Sequence, residues 1–100
     1  MQEKLTVMRE AYVKYLAEKC HCKGKTLIHY PDAVDKYIPR YVRTHIDPEF
    51  NNFYSMSVDN IKIVFDQLQN SNEWENEMQR KTWNLRLKAI DHFISFRKTI

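Results

Sequence analysis

Apolar residues recur at three- and four-residue intervals over most of the chain, which is the period of one face of an α-helix. Four segments show this spacing, and residues typical of turns separate them. No run alternates with period two for long enough to require a strand, so the pattern predicts an all-α fold. The predicted inward positions, segment by segment, are Leu5, Met8, Tyr12, Tyr15 and Leu16; Leu27, Tyr30, Val34, Tyr37, Ile38, Tyr41 and Val42; Val58, Ile61, Val64, Phe65 and Leu68; and Trp83, Leu87, Ile90, Phe93 and Ile94.

The residues between and within these segments predict the helix boundaries. Gly24, the only glycine, is expected in the turn after the first helix, and Thr26 is expected to be the N-cap of the second. Pro39 lacks an amide hydrogen and should kink or split that second helix. Ser57 is a predicted N-cap of the third helix, and Asn72, with a glutamate three residues on, resembles a capping box for a short fourth. The last helix is predicted from about residue 81 to 97, which gives a single compact bundle of four to five short helices.

Length and composition are those of one globular domain spanning residues 1–100. The chain has 100 residues, of which 43% are apolar and 29% charged. Its longest apolar stretches are too short for a membrane-spanning helix, and its N-terminus lacks the apolar core of a signal peptide. Two cysteines cannot build a disulfide framework, which favours a reducing compartment. We therefore expect a cytoplasmic protein with no membrane partner.

Charge is separated into blocks along the chain. Residues 1–45 hold nine basic and five acidic residues (+4), residues 46–79 one and seven (−6), and residues 80–100 six and one (+5). Such blocks predict a surface with two faces of opposite sign, although a solvated helical surface could carry the same pattern without function. A basic face suits a phosphate backbone, and the acidic segment would then point away from it.

The sequence holds no recognisable catalytic motif. A single glycine excludes the glycine-rich phosphate loops, and neither His-Glu-x-x-His nor Gly-x-Ser-x-Gly occurs. The acidic residues Glu73, Glu75 and Glu77 are spaced by two, which spreads them around a helix. We expect no catalytic residue and no cofactor in this chain.

Cys20, His21 and Cys22, with His29 and His45 downstream, are residue types that ligate zinc. Their spacing does not match the familiar zinc modules, because the C-x-C pair lacks a second pair at a finger-like distance. The favoured expectation is no metal site, with two free thiols and surface histidines at a helix turn. A small zinc-stabilised domain remains an alternative.

Basic and polar residues gather where two helices are predicted to begin. Lys25 and Thr26 open the second helix, and the start of the last helix carries the run Arg80, Lys81, Thr82, Asn84, Arg86 and Lys88. Free amides and the helix dipole attract anions at helix N-termini. The pattern therefore predicts two phosphate-binding helix ends.

The last helix also resembles a known family. The sequence Thr-Trp-Asn-Leu-Arg-Leu-Lys-Ala-Ile-Asp-His-Phe-Ile-Ser-Phe at 82–96 looks like the final helix of the core-binding domain of tyrosine recombinases of the phage-integrase type. That helix typically reads Thr-x-Asn-x-Arg-Leu-x-Ala-Leu-Arg-x-Phe-Phe-x-Phe. Residues 12–16 and the Gly-Lys-Thr of 24–26, followed by Tyr30, are similar to the family's opening. The resemblance covers residues 10–97. Asp91, where the family often has arginine, departs from it.

The resemblance implies a SAM-like, non-catalytic domain that clamps double-stranded DNA during DNA integration or recombination, in a bacterial-type cytosol or nucleoid. The recombinase catalytic residues have no counterpart here, so a C-terminal catalytic domain or a neighbouring protomer would supply them. Lysines and Arg86 would contact phosphates, threonines would fix register, and Asn84 with Arg86 would reach base edges. The DNA-binding residues carried over by position are Lys25, Thr26, Lys81, Thr82, Asn84, Arg86 and Lys88.

Two other functions fit the sequence. Similar domains precede nuclease modules in restriction-type proteins, where they target DNA. A protein-interaction or assembly module would instead use the acidic segment 46–79, with Phe53 and Trp74 exposed as its contact residues.

Overall fold

The computed structural model describes the backbone of residues 2–100 and the side chains of residues 7–100. These residues contain helices and no strand, which confirms the predicted all-α fold. The radius of gyration, 13.0 Å, is that of one folded domain of this length. The helices are α1 (Gln2–Glu18), α2 (Thr26–Asp32), α3 (Ile38–His45), α4 (Val58–Gln69) and α5 (Arg80–Arg97), with a π-helical turn at Ala33–Tyr37 and a 3₁₀ turn at Glu73–Asn76.

The last helix, α5, lies at the centre of the bundle and contacts α1, α2, the π-helical turn and α4. Tyr12 of α1 is fully buried against it, donates a hydrogen bond to the carbonyl of Ala89 (2.7 Å) and meets Phe93 edge to face. The predicted inward position Leu87 is only half-buried, and Leu5 lies outside the residues whose side chains are described. The buried residues of α5 are Trp83, Ala89, Ile90, Phe93, Ile94 and Phe96.

The predicted second helix is divided just before Pro39, where a kink or a split is expected, although the chain stays helical throughout. The π-helical turn at residues 33–37 precedes the proline, and the amide of Ile38 bonds five residues back to the carbonyl of Ala33. Pro39 then stands within the first two positions of α3, where a missing amide costs little. The wider turn thus accommodates a residue that the interior of an α-helix would not.

Of the three predicted N-caps, one is confirmed and two are wrong. Ser57 Oγ accepts a hydrogen bond from the amide of Asn60 (3.2 Å) and caps α4. Thr26 is already the first residue of α2, because Lys25 before it has helical backbone angles and leaves no extended cap position. Asn72 makes no side-chain cap, since only a four-residue 3₁₀ turn follows it.

The loop between α3 and α4, residues 46–57, is fixed to the bundle by arginines. Arg43 donates to the carbonyls of residues 50 and 51 (2.9 and 2.7 Å), and Arg97 donates to those of residues 53 and 54. This loop carries Phe53 into the core, where its side chain is 0% exposed. Trp74, which lies in the 3₁₀ turn after α4, is only 9% exposed. The expectation that both aromatic residues are exposed is therefore wrong.

Candidate nucleic-acid interface

The predicted DNA-binding residues of α5 lie on different sides of the helix. Successive residues of an α-helix are rotated by about 100°, so residues two apart point in nearly opposite directions. Lys81, Asn84 and Lys88 are exposed, whereas Arg86 is half-buried against Tyr37 on the other side. The structure thus brings Lys81 and Lys88 to one surface and does not place Asn84 beside Arg86.

The loop that joins α1 to α2 packs against the exposed side of α5. Cys20 Sγ lies 3.7 Å from Nδ1 of His92, and the ring of Tyr30 stacks on the same imidazole at 5.5 Å. His92 lies one turn after Lys88 on the same side of α5, so its contact with Cys20 places Lys88 beside this loop. Lys25 lies three residues after Cys22, so the Cα atoms of the two residues are at most about 11 Å apart.

Two residues of this loop have positive φ angles, namely His21 (57°) and Gly24 (61°). This left-handed conformation favours glycine and is uncommon for other residues. The two turns reverse the chain after α1 and carry Lys23 and Lys25 past α5. The loop is therefore a defined part of the surface.

We use the name lysine surface for five lysines at the end of α1, in the α1–α2 loop and on the exposed side of α5. All of them are exposed, and none takes part in an ion pair among the side chains of residues 7–100. Three arginines, by contrast, are used inside the fold, since Arg43 and Arg97 hold the 46–57 loop and Arg9 pairs with two aspartates. Unpaired lysines remain available to an external anion. The lysine surface consists of Lys19, Lys23, Lys25, Lys81 and Lys88.

The start of α5 presents unpaired amides as well. Gln79, its N-cap, makes no side-chain hydrogen bond to the first turn, and that turn contains no acidic residue. Lys81 lies in this turn and Lys88 two turns later, about 10 Å along the helix axis. The two threonines of the predicted site, Thr26 and Thr82, are half-buried at the start of their helices.

Acidic residues limit how far the positive surface extends. Asn84 lines an open groove of about 510 Å³ together with Glu75 and Arg80, which places a carboxylate next to it. Asp91, one turn after Lys88, is also exposed. These carboxylates reduce the positive charge near Asn84 and Lys88, so Asn84 lies at the edge of the lysine-bearing side of α5.

A stack of aromatic rings fixes the turn before α5. Arg80 lies over the ring of Trp74 (5.4 Å), which stacks on Trp83 with the ring planes 8° apart. Trp83 in turn contacts Tyr41, whose hydroxyl accepts the amide of Trp74 (3.1 Å) and lies 2.5 Å from Ser71 Oγ. Trp74 is therefore part of the packing that positions α5. It is not exposed as the aromatic contact residue that a protein-interaction module would need.

The residues that the alternative zinc site would use do not come together as one group. His45 Nε2 is 3.1 Å from a Glu77 carboxylate oxygen, and His29 is exposed on α2. Cys20 has His92 as its neighbour, a residue that spacing arguments did not include. Among the described residues, no three His, Cys, Asp or Glu side chains come together as a metal site.

Arg40 is a basic residue that the sequence reasoning did not select. It lines a groove with Tyr37 and Arg86, on the side of α5 opposite Lys88. The helical spacing could have indicated Arg40, because residues 37, 40, 41 and 44 share one face of a helix. Arg86 therefore lies in a groove with Arg40, apart from Lys81 and Lys88, with which the sequence grouped it.

Every helix within residues 2–100 is too short or too polar to cross a membrane. Comparison of the chain with known protein families, with curated proteins and with solved structures finds no match. The likeness to the tyrosine recombinase core-binding domain consequently rests on the quoted residues of α1, α2 and α5.

Proposed function

We propose that this chain is a non-catalytic domain that binds double-stranded DNA through the lysine surface. The observation that carries the proposal is that the α1–α2 loop, which holds Lys25, packs through Cys20 against His92, one turn after Lys88 on α5. Both lysines are exposed and unpaired within residues 7–100. Phosphate contacts supply most of the affinity of sequence-independent DNA binding.

Lysines from the α1–α2 loop and from α5 would contact phosphates along the duplex. The backbone amides at the start of α5 would donate hydrogen bonds to one further phosphate. If about four phosphates are engaged, the logarithm of the binding constant falls with the logarithm of salt concentration with a slope of about −3 to −4. Asn84, at the edge of the surface, is the candidate for a base contact.

The residues of α5 that resemble the recombinase helix support a more specific role in DNA integration or recombination. In that role the catalytic domain would come from elsewhere, either C-terminal to this domain or in a neighbouring protomer, and the protein would act in the cytoplasm. A nuclease module of the restriction type is the alternative catalytic partner.

Fluorescence anisotropy with a short labelled duplex tests the proposal at several salt concentrations. The variant K25Q/K81Q/K88Q removes three charges of the lysine surface. A matched control, K36Q/K62Q/K98Q, removes three exposed lysines elsewhere.

We expect the first variant to bind far more weakly, with its salt slope reduced by about 2.7, because each lost phosphate contact removes about 0.9 from the slope. The control should retain most of the affinity. Equal losses in both variants would show a response to net charge alone and would refute the proposed surface.

A further inference from the structure

A second basic site lies in the groove between α3 and the start of α5. The groove encloses about 240 Å³ and is lined by two arginines, Arg40 and Arg86, together with Tyr37, Met78 and Glu77. It opens on the side of α5 opposite Lys88, so it is separate from the lysine surface.

Arg86 is held rigidly in this groove. Its guanidinium carbon lies 4.2 Å from the centre of the Tyr37 ring, and one of its amino groups donates to Met78 Sδ at 3.5 Å. Stacking of this kind orients the flat guanidinium while leaving its other N–H groups free to donate. These two contacts thus place one face and one amino group of the guanidinium against the protein.

Neither arginine has a carboxylate partner within the ion-pair distance among residues 7–100. The carboxylate that shares the groove, Glu77, is paired with His45. Burial lowers the pKa of Arg86, and the nearby charge of Arg40 acts in the same direction, whereas Tyr37 and Glu77 act against it. Holding two like charges together, one of them half-buried, costs free energy that a bound anion would offset.

We propose that the Arg40–Arg86 groove binds a phosphate group. Guanidinium groups match tetrahedral oxyanions because they donate two parallel hydrogen bonds, and two of them suit a dianion. Arg86 provides the fixed donor and Arg40, exposed at the rim, closes on the ligand. The small volume fits a phosphate with a short substituent.

Thermal unfolding followed by circular dichroism tests the site on the full chain. Unfolding is measured in sodium phosphate and in sodium chloride of equal ionic strength at pH 7. A ligand that binds only the folded state multiplies the folding equilibrium constant by 1 + [L]/Kd, which is about elevenfold for about 50 mM phosphate and a Kd of about 5 mM. We expect a higher Tm in phosphate than in chloride.

Three variants separate this site from general ion effects. R86M keeps an unbranched side chain that can pack on Tyr37 but removes the charge and the hydrogen bond to Met78, so the protein should stay folded and lose the response to phosphate. R40Q changes an exposed residue and should lose most of the response. K98Q, which removes a charge at the end of α5, should keep it.

Two esters then identify the source of the phosphate. A larger Tm shift with methyl phosphate than with dimethyl phosphate indicates a free or terminal phosphate, and an equal shift indicates that backbone diesters also fit. The proposal is overturned if wild type shows no phosphate-specific shift, or if the shift persists in both R86M and R40Q. DNA binding by the lysine surface is measured separately, so one result does not decide the other.

Discussion

The hydroxyl of Tyr41 provides the sharpest test of how the start of α5 is positioned. It accepts the backbone amide of Trp74 (3.1 Å) and lies 2.5 Å from Ser71 Oγ, so it connects α3 to the 3₁₀ turn. Tyr41→Phe removes the oxygen and keeps the ring, which still contacts Trp83 and His45. Only the polar contacts are lost.

The expected cost follows from what is left behind. The amide of Trp74 is buried, and a buried donor without a partner costs about 1–3 kcal/mol. We therefore expect Tyr41→Phe to lower the free energy of unfolding by about 2 kcal/mol. For a domain of this size, this corresponds to a fall in Tm of about 8–16 °C.

Two tyrosines serve as graded controls. The hydroxyl of Tyr12 donates a buried hydrogen bond to the carbonyl of Ala89, which lies inside a helix. Tyr12→Phe therefore leaves no unpaired donor and should cost about 1 kcal/mol. Tyr37 is half-buried, and its ring face carries Arg86. Tyr37→Phe keeps that contact and should change stability by less than about 0.5 kcal/mol.

Urea unfolding followed by circular dichroism gives the three free energies on one scale. We expect the loss of stability to fall in the order Tyr41→Phe, Tyr12→Phe, Tyr37→Phe. If Tyr41→Phe were as stable as Tyr37→Phe, the hydroxyl of Tyr41 would not hold the turn before α5.

Three further predictions concern the loops and the core. Gly24→Ala should destabilise the fold by about 1 kcal/mol in urea unfolding, because φ at this position is +61°. No atom lies within 4 Å of an added Cβ, so the cost comes from the backbone conformation alone. An unchanged urea midpoint would contradict this. Phe53→Ala should cost about 3–5 kcal/mol, since the ring is fully buried, and a loss below about 1 kcal/mol would contradict its place in the core. Burial raises the pKa values of Tyr12 and Tyr54 in the folded state. The stability that these neutral side chains contribute is fully present below the ordinary tyrosine pKa of about 10. It is lost as the pH rises through their higher folded-state pKa values. Absorbance at 295 nm and circular dichroism should therefore change together above pH 10, and complete ionisation without loss of helix would refute the prediction.

Helical periodicity predicts much of the fold because most helices bury one face. It correctly places Tyr12, Leu16, Ile61 and Leu68 in the core. Phe53 could not be placed in this way, since it lies in a loop with no period, and its burial depends on contacts with distant parts of the chain. An interruption of the second helix at Pro39 was predictable, but its form as a π-helical turn was not, because that turn packs against α5.

The candidate site was predictable in part. Lys25, Lys81 and Lys88 are exposed as expected of charged residues near helix starts. The separation of Asn84 from Arg86 follows from helix geometry alone, because a spacing of two cannot place both on one face. The nearness of Lys88 to the α1–α2 loop required the tertiary structure, since 66 positions separate Cys22 from Lys88.

A titration of the domain with a short generic duplex, followed by two-dimensional NMR at low and moderate salt, tests the lysine surface most directly. The account predicts shifts concentrated in residues 19–25 and around Lys81 and Lys88, which fade as salt rises, while α4 stays unchanged. No shifts at low salt, or shifts centred on the acidic segment 46–79, would contradict it.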